Sequence, residues 1–284
     1  MTGTAPALEV HELWFWYEAG TPVLHGIDLE VPAGQFVALV GANGSGKTTL
    51  AKQMNGLLRP RRGTVTVMGK PAAGRPVGDV ARQVGFLFQH PEQQIFSATV
   101  REEIAFGPTN MGLPRAEVEA RVAAALDRFD LVPLAERPPA ILSYGARRRV
   151  TLASLAAMDP PILVLDEPTV GLDARGLEET FGWLRELHTG GRTILLVTHD
   201  MELVAQHAQR AVVLHDGRIV ADDRPAAIFE QPELIERASL DLPPVAALSA
   251  ELAGLGLGAG LMTVEAFVDA YATLASGAGG DRAS

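Results

Sequence analysis

The sequence predicts an α/β domain, and three observations carry that prediction. Short β-rich runs alternate with amphipathic helical runs along most of the chain. Three of the β-rich runs, Phe36–Val40, Ile162–Leu165 and Ile194–Val197, are continuously apolar, as strands buried on both faces of a sheet must be. A glycine-rich turn from Gly41 to Thr48 then joins the first of these runs to a helical segment. With 284 residues, 47% apolar and 20% charged, the chain has the makeup of a folded globular protein.

Taken in order, strands are expected at Leu8–Trp16, Gln35–Val40, Thr64–Met68, Val84–Phe88, Ile162–Asp166, Thr193–Thr198 and Ala211–His215. The N-terminal strands, interrupted by Glu18 to Pro22, read as an antiparallel meander. Asp216-Gly217 turns the last strand back into Arg218–Ala221, a two-residue hairpin. A helix over Thr48–Leu57 follows the glycine-rich turn, and another spans Ala174–His188. Between Gln89 and Asp159 no strand pattern occurs. There, Thr99-Val100-Arg101-Glu102 is a capping box that opens a short helix. Val118, Val122, Leu126 and Phe129 form one helical stripe, and a third helix runs from Ser143 to about Met158. The expected organisation is a core over residues 1–230 with a helical subdomain at about 90–158. A small helical appendage over 231–270 and a disordered tail over 271–284 complete it.

Composition removes several functions. The net charge of −10 argues against a nucleic-acid-binding domain, which usually shows a basic face. The chain has no cysteine, so disulfides, zinc-thiolate sites, iron–sulfur clusters and thiol catalysis are all excluded. The first twenty residues lack a basic region followed by an apolar core, so no secretory signal is expected. The nearest approach to a membrane span, Leu252 to Val264, is 13 residues with four glycines, too short to cross a bilayer.

The strongest chemical signal is Gly41-Ala42-Asn43-Gly44-Ser45-Gly46-Lys47-Thr48, a complete G-x-x-x-x-G-K-[ST] phosphate loop between a buried strand and a helix. Its glycines let backbone N–H groups curl round phosphates, and the helix N-terminus adds its positive end. Lys47 reaches the β- and γ-phosphates, the Thr48 hydroxyl ligates Mg²⁺, and Thr49 belongs to the same nucleotide-binding set. Ile162 to Leu165 lead into Asp166 and Glu167. Alone, two acids before a Pro-Thr turn could simply cap a strand. Beside a phosphate loop, Asp166 is placed to hold Mg²⁺ and Glu167 to orient or deprotonate an attacking water. Ser143 before a helix reads either as a plain N-cap or, with the Gly145 N–H, as an anion site.

Leu142-Ser143-Tyr144-Gly145 resembles the signature sequence of the ATP-binding cassette (ABC) ATPases, most often Leu-Ser-Gly-Gly-Gln. The resemblance orders the other pieces over roughly residues 8 to 230. Gln89 matches the Q-loop glutamine, a contributor to the nucleotide and Mg²⁺ site, and Asp173 matches the D-loop while reading equally as a helix N-cap. His199 matches the switch histidine that contacts the γ-phosphate. Tyr17 matches the aromatic that stacks on adenine, unless it is a core aromatic beside Trp14 and Trp16. The resemblance implies an ABC-type P-loop fold with ATP and Mg²⁺ as cofactors. It also implies a head-to-tail dimer, in which ATP on one phosphate loop is completed by Ser143, Tyr144 and Gly145 of a second ATPase subunit.

Phe88 to Phe96, Thr99-Val100 and Ile104-Ala105-Phe106-Gly107-Pro108 look like the ATPases of energy-coupling-factor (ECF) transporters, the cobalt/nickel and B-vitamin import group. Tyr144 is similar to a variant frequent in that group, whereas Ala146 replaces the signature glutamine and His90 stands where the group usually has Asn. The implied partners are a second ATPase, the same chain or a different one, an integral membrane transporter subunit and a substrate-binding membrane subunit. The implied place is the cytoplasmic side of a cell membrane, as a peripheral protein. Phe96, Ile104 and Phe106 are expected to line a docking groove for the membrane subunit. The alternatives are the ATPase of a binding-protein-dependent importer or a non-transport ABC ATPase. Against the latter, the 55 residues from Gln89 to Ser143 leave no room for a long coiled coil or a DNA-reading domain.

Overall fold

A computed structural model describes residues 5–18, 20–90, 94–255, 257 and 261–278. The strands are β1 Leu8–Phe15, β2 Leu24–Val31, β3 Phe36–Val40, β4 Arg62–Val67, β5 Lys70–Pro71, β6 Val84–Leu87, β7 Ile162–Asp166, β8 Thr193–Val197, β9 Arg210–His215 and β10 Arg218–Asp223. The α-helices are α1 Lys47–Met54, α2 Val77–Ala81, α3 Val100–Asn110, α4 Arg115–Arg128, α5 Tyr144–Met158, α6 Ala174–Thr189, α7 Met201–His207, α8 Pro225–Phe229, α9 Pro232–Ala238, α10 Pro244–Leu252 and α11 Val264–Ala278. The chain divides into two compact units, residues 1–35 with 48–197, and residues 36–47 with 198–284.

The first unit holds an antiparallel sheet in the order β2-β1-β4-β5, the expected meander, and a parallel set in which β7 pairs with both β6 and β8. Every residue of β7 and β8 is buried, which is why both runs are apolar throughout. The helical subdomain is α3, α4 and α5. Its first helix starts at the expected capping box, with the Thr99 side chain accepting from the Glu102 N–H and Glu102 returning the bond. On α4, Val122 and Leu126 are buried, and Phe129 just beyond it packs edge-on against Trp183. Two small elements carry no clear sequence pattern and were not expected: the two-residue β5 and the single-turn α2.

The second unit is built on β3, which pairs parallel with β9, and on the β9–β10 hairpin. Asp216 (φ 45°) and Gly217 (φ 67°) both take the left-handed conformation that such a two-residue turn requires. Ala38 and Val40 of β3 pack with Ala211 and Val213 of β9, and with Met201, Val204, Ile228, Phe229, Ile235 and Leu240. The boundary expected at residue 230 therefore falls inside a packed core. Ile235, Ala238 and Leu240 are buried there, because α9 brings its apolar face back onto the strands. Helix α11 spans Val264–Ala278, past residue 271 where the tail is expected to begin, and residues 279–284 lie outside the described set. No described helix is long and apolar enough to cross a membrane.

Candidate nucleotide site

In the second unit the phosphate loop leaves β3 through Gly41 at φ 147°, and Gly44 and Gly46 also take positive φ. Only glycine fits at position 41, since a Cβ there would lie 2.1 Å from the Leu214 carbonyl oxygen. The Lys47 ammonium donates to the carbonyls of Gly41 (2.6 Å) and Ala42 (2.9 Å), which holds the curl of the loop. Ser45 Oγ is buried without a hydrogen-bond partner, although a buried hydroxyl normally has one. An unsatisfied hydroxyl and a ring of loop amides at a helix start fit the oxygens of a polyphosphate. His199, next to the Asp200 cap of α7, is exposed.

In the first unit Thr48 Oγ1 donates to Asp166 Oδ2 at 2.8 Å. Among the described residues no group of three or more His, Cys, Asp or Glu could hold a metal. One hydroxyl and one carboxylate suit Mg²⁺, which takes few protein oxygens and fills its shell with phosphates and water. Glu167, the next residue after β7, is buried and has φ 48°, an uncommon conformation for a side chain of its kind. Its N–H donates to the Val197 carbonyl at 2.9 Å. Gln89 lies exposed just past β6, and its carbonyl accepts from Tyr144 Oη at 3.2 Å.

Tyr17 is 54% exposed, so it is not a core aromatic. Its hydroxyl is 3.0 Å from Thr49 Oγ1 and its ring meets Phe15 edge-on, leaving a face to solvent. Ser143 caps α5 by accepting from the Ala146 N–H (3.3 Å), and Asp173 caps α6 by accepting from the Gly176 N–H (2.8 Å). Both capping roles are thus real. The two helix starts open on one cleft of about 440 Å³, lined by Ser143, Gly145, Ala146, Gly171 and Asp173 among others. Tyr144 fills the space that Gly171 leaves: a Cβ on Gly171 would sit 2.2 Å from the tyrosine ring.

Near the Gln89 segment, Phe96 (64% exposed) and Phe106 (47%) pack edge-on with centroids 4.6 Å apart. They line a groove of about 460 Å³ with Pro76, Met111 and Met158. Ile104, expected in the same groove, is instead fully buried, because it lies on the face of α3 that packs toward the other subdomain helices. Sequence reasoning also missed Arg148. It lies on the buried stripe of α5 with Leu152 and Leu155, and a charge on an apolar stripe is the signal that could have found it.

Residues 24–170 match the ABC transporter family. The chain is 43% identical over 243 residues to the energy-coupling factor transporter ATP-binding protein EcfA of Methanocaldococcus jannaschii, covering 85% of this chain and 87% of that protein. Among solved structures it is similar to cbiO1 of Clostridium perfringens, part of the ABC transporter complex cbiONQ. That likeness has 36% identity and a TM-score of 0.71 over 86% of this chain and 98% of that one. A dimeric, post-hydrolysis ATP-binding cassette bound to ADP and phosphate, MJ0796, is similar at 25% identity and a TM-score of 0.71, over 77% of this chain and 98% of that one. Phosphate loop, strand-end acids, capped signature helix and sequence identity agree, and the chain belongs to the ABC transporter family of ATP-hydrolysing subunits.

Proposed function

We propose that this chain is the ATPase of an ECF-type transporter, hydrolysing ATP to energise uptake of a micronutrient, a vitamin or a transition-metal ion. It works as a dimer with a second ATPase, the same chain or another. It docks on an integral membrane subunit at the cytoplasmic face, where a separate membrane subunit selects the substrate. The observation that carries the chemistry is the 2.8 Å contact between Thr48 and Asp166, one residue from Lys47 on one side and from Glu167 on the other. Identity to subunits named as energy-coupling-factor ATPases supports the transporter class.

In this reading the loop amides and Lys47 hold the β- and γ-phosphates, and Tyr17 offers its exposed face to adenine. Thr48, Asp166 and Gln89 would hold Mg²⁺, which would supply neutralisation of the charge on the phosphates. Glu167 takes or orients the proton of the attacking water, and His199 contacts the γ-phosphate. Ser143 and Gly145 act on the nucleotide of the opposite subunit. Buried Glu167, held in an unusual backbone conformation, fits a group whose direction matters more than its stability.

The test is Glu167→Gln. ATP affinity should stay nearly intact while turnover falls by about 10²–10⁴-fold, the range for a lost general base, and an ATP-bound dimer should accumulate. Lys47→Ala should instead weaken ATP binding itself. Unchanged turnover in the Glu167 variant removes it from the catalytic role.

A further inference from the structure

Arg147, Arg148 and Arg149 form a basic run in the sequence, yet in the fold it is not a surface patch. Arg147 donates to the carbonyls of Ala140 (3.4 Å) and Leu142 (3.0 Å), and Arg149 reaches the carbonyl of Phe129 and the carboxylate of Asp130. Arg148 turns inward and is among the largest fully buried side chains of the molecule. Its Nη1 donates to the Phe88 carbonyl (2.6 Å), and its Nη2 donates to the carbonyls of Gln89 (2.6 Å) and Glu167 (2.8 Å).

These three carbonyls lie just beyond the ends of two neighbouring parallel strands, β6 and β7, which pair as far as Leu87 and Leu165. Past the ladder these main-chain carbonyls need other partners, and one guanidinium supplies them. At Glu167 the effect is specific. Its N–H is tied to Val197 and its carbonyl to Arg148, so both ends of a left-handed residue are held. A conformation of that kind persists only where the surroundings impose it. The Gln89 carbonyl accepts from Arg148 and also from Tyr144, four residues earlier on the same face of α5. The start of α5, the Gln89 segment and the backbone of Glu167 are thus joined through one side chain.

We propose that Arg148 is a positioning residue for ATP hydrolysis. By holding the Gln89 and Glu167 carbonyls on one rigid fork, it sets the direction of the Glu167 carboxylate and links it to the Gln89 segment. Lysine cannot replace it, since an ammonium lacks the planar fork that spans three carbonyls. The proposal rests on the reading of Glu167 as the residue that handles the attacking water.

The experiment compares ATP turnover by the wild-type chain in its transporter assembly with Arg148→Lys, Glu167→Gln and the double variant. KM for ATP and Tm are measured on the same samples. Arg148→Lys should lower kcat by about 10–100-fold, within the range of coupled neighbours, while KM changes by less than about 3-fold and Tm by a few degrees. In the Glu167→Gln background the same substitution should cost less than about 3-fold, because it acts through a group already disabled. Losses that multiply in full, an unchanged kcat, or a kcat loss that tracks Tm would each overturn the proposal. Should Arg148→Lys fail to fold, Arg148→Gln is read in its place against the same criteria. If Glu167→Gln alone leaves turnover intact, the reading of Glu167 fails. If it silences turnover while the Arg148 variant is unaffected, only the role of Arg148 falls.

Discussion

At Gly41 the phosphate loop has no room for a side chain. At φ 147° the position is strained for any L side chain, and the Leu214 carbonyl and Ser45 Oγ occupy the space a Cβ would take. Gly44 differs, since a Cβ there meets nothing within 4 Å and only its φ of 84° restricts it. Gly41→Ala should therefore destabilise the chain by roughly 2 kcal/mol or more and weaken ATP binding by at least about tenfold, as the loop and the end of β9 move apart. Thermal melting and calorimetric titration with ATP check this. A variant with wild-type affinity shows that the loop carbonyls relax without loss. Lys47, six residues on, makes the same point from the other side: its ammonium is held by the backbone it helps to curl.

Among the elements, α3 ties local order to the groove that Phe96 and Phe106 line. Its capping box fixes where the helix begins, and buried Glu103 accepts from the N–H groups of Phe96 (3.0 Å) and Ser97 (2.8 Å). The segment before the helix is thereby stapled down while the Phe96 ring stays largely in solvent beside Phe106. An exposed aromatic pair over an apolar groove is the kind of surface that receives a partner helix. Phe96→Asp should abolish co-purification with the membrane subunit and leave ATP binding by the chain intact. Loss of both would make Phe96 structural, and retention of both would move the docking surface elsewhere. Ile104 carries no such prediction, because its side chain is consumed in holding the subdomain together.

For the whole molecule, the decisive feature is that the cleft at Ser143, Gly145 and Asp173 is lined by two helix N-termini. Such an arrangement suits an anion brought by another chain. If the dimer shares each ATP between subunits, a Lys47→Ala chain mixed with a Ser143→Ala chain rebuilds one intact site per mixed dimer. Turnover of the mixture should exceed that of either variant alone. Absence of recovery, in dimers shown to be mixed by mass, would mean that each subunit hydrolyses ATP by itself. At Ala146 the backbone N–H still supplies the cap bond to Ser143 Oγ, which needs no glutamine side chain.

The parts of this protein that were legible in the sequence are those whose chemistry is contiguous. The phosphate loop, the acids ending β7, the capping box of α3 and the Asp216-Gly217 hairpin each need only neighbouring residues, so their spacing alone specifies them. Apolar runs likewise marked β3, β7 and β8, because strands buried on both faces have no polar side to show. Tertiary structure alone decided the rest. Tyr17 proved exposed and Ile104 buried, a distinction set by which neighbours cover each residue rather than by its own polarity. Tyr144 found its place against Gly171, and Arg148 its carbonyls at Phe88 and Gln89, across tens of residues of chain. A main-chain acceptor at such a distance leaves no mark on the sequence near the arginine, since every residue type carries the same carbonyl.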